Sequence, residues 1–291
     1  MMWISGAALL SVAVYAVCWR AAGYLLSPPM SSLSHFPEHY GLEYEKISFR
    51  TRDGFELKGW FVPSPSGDKR TILMCHGMSD NKGLLLRQTR FLNETGGFNL
   101  VYFDFRSHGE SEGAVTTSGG LETIDFDAAM EWLRRAKPGL AGTVGVFGLS
   151  MGAAVALVAT PKHKDLRCVA VESPFPDYDT VIGRWFWNNL KVPFYPFVAL
   201  IIRIVRARVK APELEQFDPV ASAALISPRP LLVIGGERDE LMRPEDISRI
   251  FRAAVEPKQL WMVQGARHTL CREAAGTEYD ARLIEFFMRS L

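Results

Sequence analysis

Ser150 is the residue with the clearest chemical promise in this chain. It lies in Gly148-Leu149-Ser150-Met151-Gly152, a G-x-S-x-G pattern. The run before it (Val144-Gly145-Val146-Phe147) is apolar and strand-like, and the run after it (Ala153-Ala154-Val155-Ala156) is small and helix-forming. A sharp strand-to-helix turn exposes a serine hydroxyl and turns the helix N-terminus, with the Met151 amide, toward developing negative charge. The glycines leave room where turn and helix crowd. Serine alone is a poor nucleophile and needs a base, which in turn needs an orienting acid. In this setting the three follow in the order Ser, Asp, His. His268, in Gly265-Ala266-Arg267-His268, comes after a strand-like run and before the last helical pattern. Asp239, in Gly235-Gly236-Glu237-Arg238-Asp239, ends the preceding strand-like run. Both are expected at carboxyl ends of parallel strands, where ligands bind in open α/β sheets. His268 would take the Ser150 proton, and Asp239 would hold the imidazole and stabilise its cation. Glu237, Glu240 and Glu172 are the rival acids. His35, His39 and His163 fall in linker or loop and are expected to be solvated. An oxyanion site needs a second amide from the loop after Thr71–Cys75; Met78 is the first choice and Gly77 the reserve.

These residues need a frame. Glu43–Arg50 and Glu56–Val62 pattern as a β-hairpin around Arg52-Asp53-Gly54. Thr71–Cys75, Asn99–Phe103, Thr143–Phe147, Cys168–Val171, Pro230–Ile234 and Gln259–Val263 are short apolar strands. Between them lie helical patterns at Lys82–Glu94 (capped by Asn81), Leu121–Ala136, Ala153–Ala159, Pro244–Ala254 and Glu278–Met288. The alternation implies a mostly parallel sheet covered on both faces. Residues 174–224 break it. They are rich in aromatics, including Trp185, Trp187 and Phe194, and are expected to form an inserted helical cap.

The composition fits an ordinary globular chain: 291 residues, 48% hydrophobic, 22% charged. A net charge of +1 gives no electrostatic footprint for nucleic acid. Cys18, Cys75, Cys168 and Cys271 are scattered, without a CxxC pair, which argues against a disulfide framework or zinc site. Residues 1–26 are apolar apart from Arg20 and carry Trp3, Tyr15, Trp19 and Tyr24 as interfacial anchors. They are expected to form a transmembrane or signal-anchor helix, with a cleaved signal peptide and a docked apolar helix as alternatives. The lone Arg20 leans toward a cytoplasmic body without fixing the side. Residues 27–39 pattern as a linker, and 40–291 as the folded domain. From Thr180 to Pro212 there are six basic residues and no acid, beside Trp185, Trp187, Phe194 and the apolar Val198–Val205. Such a cap either leans on an anionic membrane or covers the site with its charges merely solvated.

From His76-Gly77, Asp104-Phe105-Arg106-Ser107-His108-Gly109-Glu110-Ser111, the G-x-S-x-G turn, the acid turn and His268, the chain resembles the α/β-hydrolase superfamily from Glu43 to Leu291. Within it, the chain looks like the membrane-anchored bacterial hydrolases of serine aminopeptidase-like or dienelactone hydrolase-like type. The His76-to-Asn81 pattern is also similar to depalmitoylating and acyl-ester-cleaving members. The resemblance implies an α/β-hydrolase fold with a helical cap, and a structural role for Asp104, Arg106 and His108. It implies hydrolysis of a small-molecule acyl ester or thioester by Ser150, Asp239 and His268, with Met78 and Met151 as oxyanion donors. No metal or organic cofactor is implied. Peptide or amide cleavage, acyl transfer, and a non-catalytic binding role remain as alternatives.

Overall fold

The computed structural model describes residues 2–291, with side-chain environments from residue 9 onward. Trp3 and its expected interfacial role therefore lie outside the described side chains. The chain opens with α1 (Met2–Leu26), followed by the hairpin strands β1 (Glu45–Arg50) and β2 (Glu56–Val62). Then come β3 (Thr71–Cys75), α2 (Lys82–Thr89), α3 (Phe91–Glu94), β4 (Asn99–Phe103), α4 (Glu122–Ala136), β5 (Val144–Leu149), α5 (Met151–Ala159) and β6 (Leu166–Glu172). The stretch before β7 (Leu231–Gly236) carries α6 (Tyr178–Leu190), α7 (Ala199–Val209), α8 (Pro212–Glu215) and α9 (Pro219–Ala223). The chain closes with α10 (Pro244–Ala253), β8 (Lys258–Val263), α11 (Cys271–Ala275) and α12 (Thr277–Ser290).

The eight strands form one sheet in the order β1-β2-β4-β3-β5-β6-β7-β8. β2 pairs antiparallel with β1 and β4, and every pairing from β4 to β8 is parallel. β3, β4, β5 and β7 are buried along their whole length, as strands with helices on both faces must be. One core cluster holds Leu73, Val101, Val146, Val169 and Val233 with the helix residues Phe126, Met130 and Val155. The other holds Met74, Tyr102, Phe147 and Ala170 with Leu86, Leu283 and Phe287. The alternation of strand neighbours between the two clusters is the period-2 side-chain alternation of a two-sided sheet.

Three details differ from the sequence expectation. The helix expected over Lys82–Glu94 is two pieces, α2 and α3, joined at Arg90. Its Asn81 cap is present: the side chain accepts from the amides of Gly83 and Leu84. The 27–39 stretch is not a free linker. Asn81 Nδ2 donates to the carbonyls of Ser31 and Ser32, and the Phe36 ring lies 5.8 Å from Trp60. His163, expected to be solvated, is buried because Arg134 Nη2 donates to its Nδ1 and Asp127 accepts at Nε2, both at 2.8 Å.

α1 is long and apolar enough to cross a membrane over Leu9–Leu26. It is also built into the body. Cys18, Ala22, Leu25 and Leu26 are buried in a third cluster with Ile182 and Phe186 of α6 and Ile201, Ile202 and Val205 of α7.

Candidate active site

The turn between β5 and α5 puts Ser150 at φ 51°, ψ −111°, a conformation that a non-glycine residue holds only when its surroundings force it. The surroundings are tight. A Cβ on Gly152 would lie 2.2 Å from the Cys75 carbonyl oxygen, and one on Gly148 2.5 Å from the Gly152 oxygen. The glycines of G-x-S-x-G are therefore steric requirements of the β3–β5–α5 junction. The nine residues of α5 are mostly small and apolar, so the helix packs deep against the sheet with its N-terminus under the serine.

Ser150 Oγ lies 2.9 Å from His268 Nε2, and His268 Nδ1 lies 2.7 Å from Asp239 Oδ2. With Asp239 accepting, Nδ1 carries the proton, and the Nε2 lone pair faces the serine hydroxyl. Asp239 is fixed by more than the histidine. Its Oδ1 accepts from the amides of Leu241 (2.9 Å) and Met242 (2.7 Å). Its side chain is fully buried, so these amides and the imidazole replace the water it has lost. The rival acids are elsewhere. Glu237 and Glu240 are exposed, and Glu237 accepts from the Gly265 amide. Glu172 is buried and accepts from the Tyr279 hydroxyl and the Cys271 amide, and burial pushes its carboxyl above the usual range.

The loop after β3 completes the site. His76 donates from Nδ1 to the Gly77 carbonyl at 2.8 Å and accepts the Phe105 amide at Nε2 at 3.0 Å. His108 donates to the Arg106 carbonyl and accepts the Ser79 amide at 3.2 Å. Burial, reinforced at His76 by the neighbouring His108, lowers both histidines below their ordinary value, so each stays a neutral donor–acceptor. The two imidazoles pin residues 77–79 from both sides. Among the described residues, the amides of Met78 and Met151 find no acceptor within the chain. Both residues line the same cavity as Ser150. Gly77, the reserve donor, instead offers its carbonyl to His76.

Asp104, Arg106 and His108 stand behind this loop. Asp104 meets the buried Lys82 ammonium and accepts from the amides of Lys82 and Glu110. Arg106 bridges Asp125 and Asp53. None of the three lines the serine's cavity.

That cavity, of about 220 Å³, is mostly apolar. Phe175, Val181, Ile182 and Trp185 wall it from the cap, and Leu241 from the acid loop. Further wall residues that the sequence does not reveal include Ser79 and Ser118, Tyr24 and Leu25 of α1, and Pro28 and Pro29 beyond it. Tyr24 and Leu25 carry only the apolar signal already credited to the anchor, and Pro28 and Pro29 fall in the stretch that patterns as a linker. The cap is tied to the acid loop by Arg184, which donates to the Leu241 carbonyl at 2.8 Å and pairs with Asp246.

Residues 64–194 match the X-Pro dipeptidyl-peptidase (S15) family model. The chain is 26% identical over 254 residues to YfhR of Escherichia coli strain K12, covering 85% of this chain and 81% of that one. It is 27% identical over 218 residues to protein bem46 of Schizosaccharomyces pombe, covering 74% and 67%. Among solved structures it is similar to the Pyrococcus furiosus esterase Pf2001, with TM-score 0.77, 26% identity, and 91% and 98% of the two chains covered. Together these likenesses support a hydrolase.

Proposed function

Because this chain belongs to the α/β-hydrolase superfamily, we propose that it is a serine hydrolase that cleaves carboxylic or thio acyl esters at a membrane. The observation that carries the reading is the Ser150–His268–Asp239 relay opening into an apolar cavity. His268 Nε2 takes the hydroxyl proton as Ser150 Oγ bonds to the acyl carbon. The carbonyl oxygen gains the negative charge, and the Met151 and Met78 amides are positioned to receive it. His268 then returns its proton to the leaving alkoxide or thiolate as that bond breaks, leaving an acyl-enzyme. Water repeats the sequence with the same base and releases the acid. Asp239 stays ionised throughout and holds the imidazolium.

α1 is the membrane anchor in this reading. Tyr24 and Leu25 form part of the cavity wall, so cleaving α1 off as a signal sequence would dismantle the site it leads to. The S15 match favours a second reading, peptide cleavage. Against it, no acidic side chain lines the cavity to receive a free amino terminus. Turnover of p-nitrophenyl esters beside X-Pro p-nitroanilides separates the two. Ester hydrolysis lost in Ser150→Ala supports the proposal, and anilide cleavage without ester cleavage refutes it.

A further inference from the structure

We propose, resting on the serine hydrolase reading, that the anchor helix is a substrate-binding element. The cavity then draws its acyl chain out of the bilayer through the seam between α1 and the cap, with Tyr24 and Leu25 setting chain length. The depth of the membrane can be read along α1. Its first described side chains are apolar, and Leu9, Leu10, Val12 and Val17 are all exposed. At Trp19 the character changes. Trp19 and Arg20 face solvent, and the Arg208 guanidinium from α7 lies 4.8 Å over the Trp19 ring. An aromatic ring and two arginines mark a headgroup level, although protein contact itself begins about a turn earlier, at Val14 and the buried Cys18. The helix before it, roughly 17 residues, is about 25 Å long at 1.5 Å per residue, the lower limit for crossing a hydrocarbon core.

From Trp19 to Leu25 the helix climbs only about 9 Å. There the face of α1 that meets the cap becomes the wall of the cavity containing Ser150. Tyr24 closes on the cap through Trp185, their ring centroids 5.9 Å apart. The acyl-binding wall thus begins about 9 Å beyond the headgroup level, a distance that an acyl ester covers by rising along α1. The cap supports the placement: Trp187, Leu190 and Tyr195 are exposed by more than half, Lys191 lies among them in sequence, and Arg203 and Arg206 follow, the latter paired with Asp179. An apolar surface with cations and no acid between Thr180 and Pro212 suits an anionic lipid face. The ligand chemistry is therefore a bilayer-dissolved acyl ester rather than a soluble one.

The test uses the full chain in vesicles of phosphatidylcholine and phosphatidylglycerol, with p-nitrophenyl decanoate in the bilayer and p-nitrophenyl acetate in solution. Leu25→Trp and Leu25→Phe fill the α1 wall, and Tyr24→Ala removes the contact with Trp185. Fluorophosphonate labelling of Ser150 counts the folded, competent enzyme in each sample. The decanoate-to-acetate ratio per labelled site is expected to fall at least tenfold in the Leu25 variants and to change severalfold in Tyr24→Ala. Ratios within twofold of wild type in labelled Leu25→Phe and Tyr24→Ala overturn the proposal. So does wild-type enzyme that turns over decanoate equally well when the ester is supplied in detergent-free solution without vesicles. A wild type that neither labels nor cleaves either ester defeats the hydrolase reading itself, and this proposal with it.

Discussion

A methyl group on Gly236 would lie 2.4 Å from the carbonyl oxygen of Ala266. The same oxygen accepts the Arg238 amide at 2.8 Å. The turn carrying Asp239 and the turn carrying His268 are therefore pressed backbone to backbone, and the acid–histidine bond depends on that contact. Gly236→Ala must push the turns apart, at a cost of about 1–3 kcal/mol in stability. Because misplacement by an ångström can cost about 100-fold in rate, the variant is expected to lose 10- to 100-fold in kcat. Thermal denaturation and ester kinetics on the same preparation check this.

Asp239→Asn keeps the shape of the acid and its site on the amides of Leu241 and Met242. It removes the charge that holds Nδ1 protonated and stabilises the imidazolium. A kcat loss of roughly 10⁴-fold is expected, with a melting temperature near that of wild type. Glu172→Gln, altering the rival carboxylate, should leave the rate within a few fold, because Glu172 contacts Tyr279 and Cys271 rather than His268.

Lys82 and Asp104 pair with both side chains fully buried. Lys82→Met strands the carboxylate with only amide donors from Lys82 and Glu110. Removing one member of a buried pair typically costs about 3–5 kcal/mol. Chemical denaturation should show a loss of that order, with Asp104→Asn in the Lys82→Met background recovering part of it.

The loop after β3 carries a pH-sensitive weakness. One Asp80 oxygen is buried without a partner, and burial raises the carboxyl to about 6. In the unfolded chain it titrates near 4. The folded state thus holds the proton more tightly, so ionisation destabilises it. The penalty is absent below about pH 4, grows between about 4 and 6, and is constant above, on the order of 2–3 kcal/mol. Asp80→Asn is expected to raise the melting temperature at pH 8 and to change it little at pH 4. An equal effect at both would show that charge is not the cause.

Sequence and structure agree where the chemistry is local. The fully buried strands β3, β5 and β7 are legible as short apolar runs because both their faces are covered. The G-x-S-x-G turn is legible because its glycines answer clashes within a few residues. What was hidden depends on long-range partners. His163 looks like a loop histidine until α4 brings Arg134 and Asp127 to it. Residues 27–39 look like a linker because Asn81 binds them through backbone carbonyls, which leave no mark on side-chain composition. Tyr24 and Leu25 look like lipid-facing anchor residues, and only the packing of α1 against the cap turns them toward Ser150.

In the proposed mechanism Ser150 is a nucleophile activated by His268. Fluorophosphonate labelling followed by peptide mass spectrometry tests it most directly. A single adduct is expected on Ser150 in wild type, none in Ser150→Ala, and labelling slowed by several orders of magnitude in His268→Ala. Folded wild-type protein that takes up no label, or that labels equally fast without His268, would contradict it.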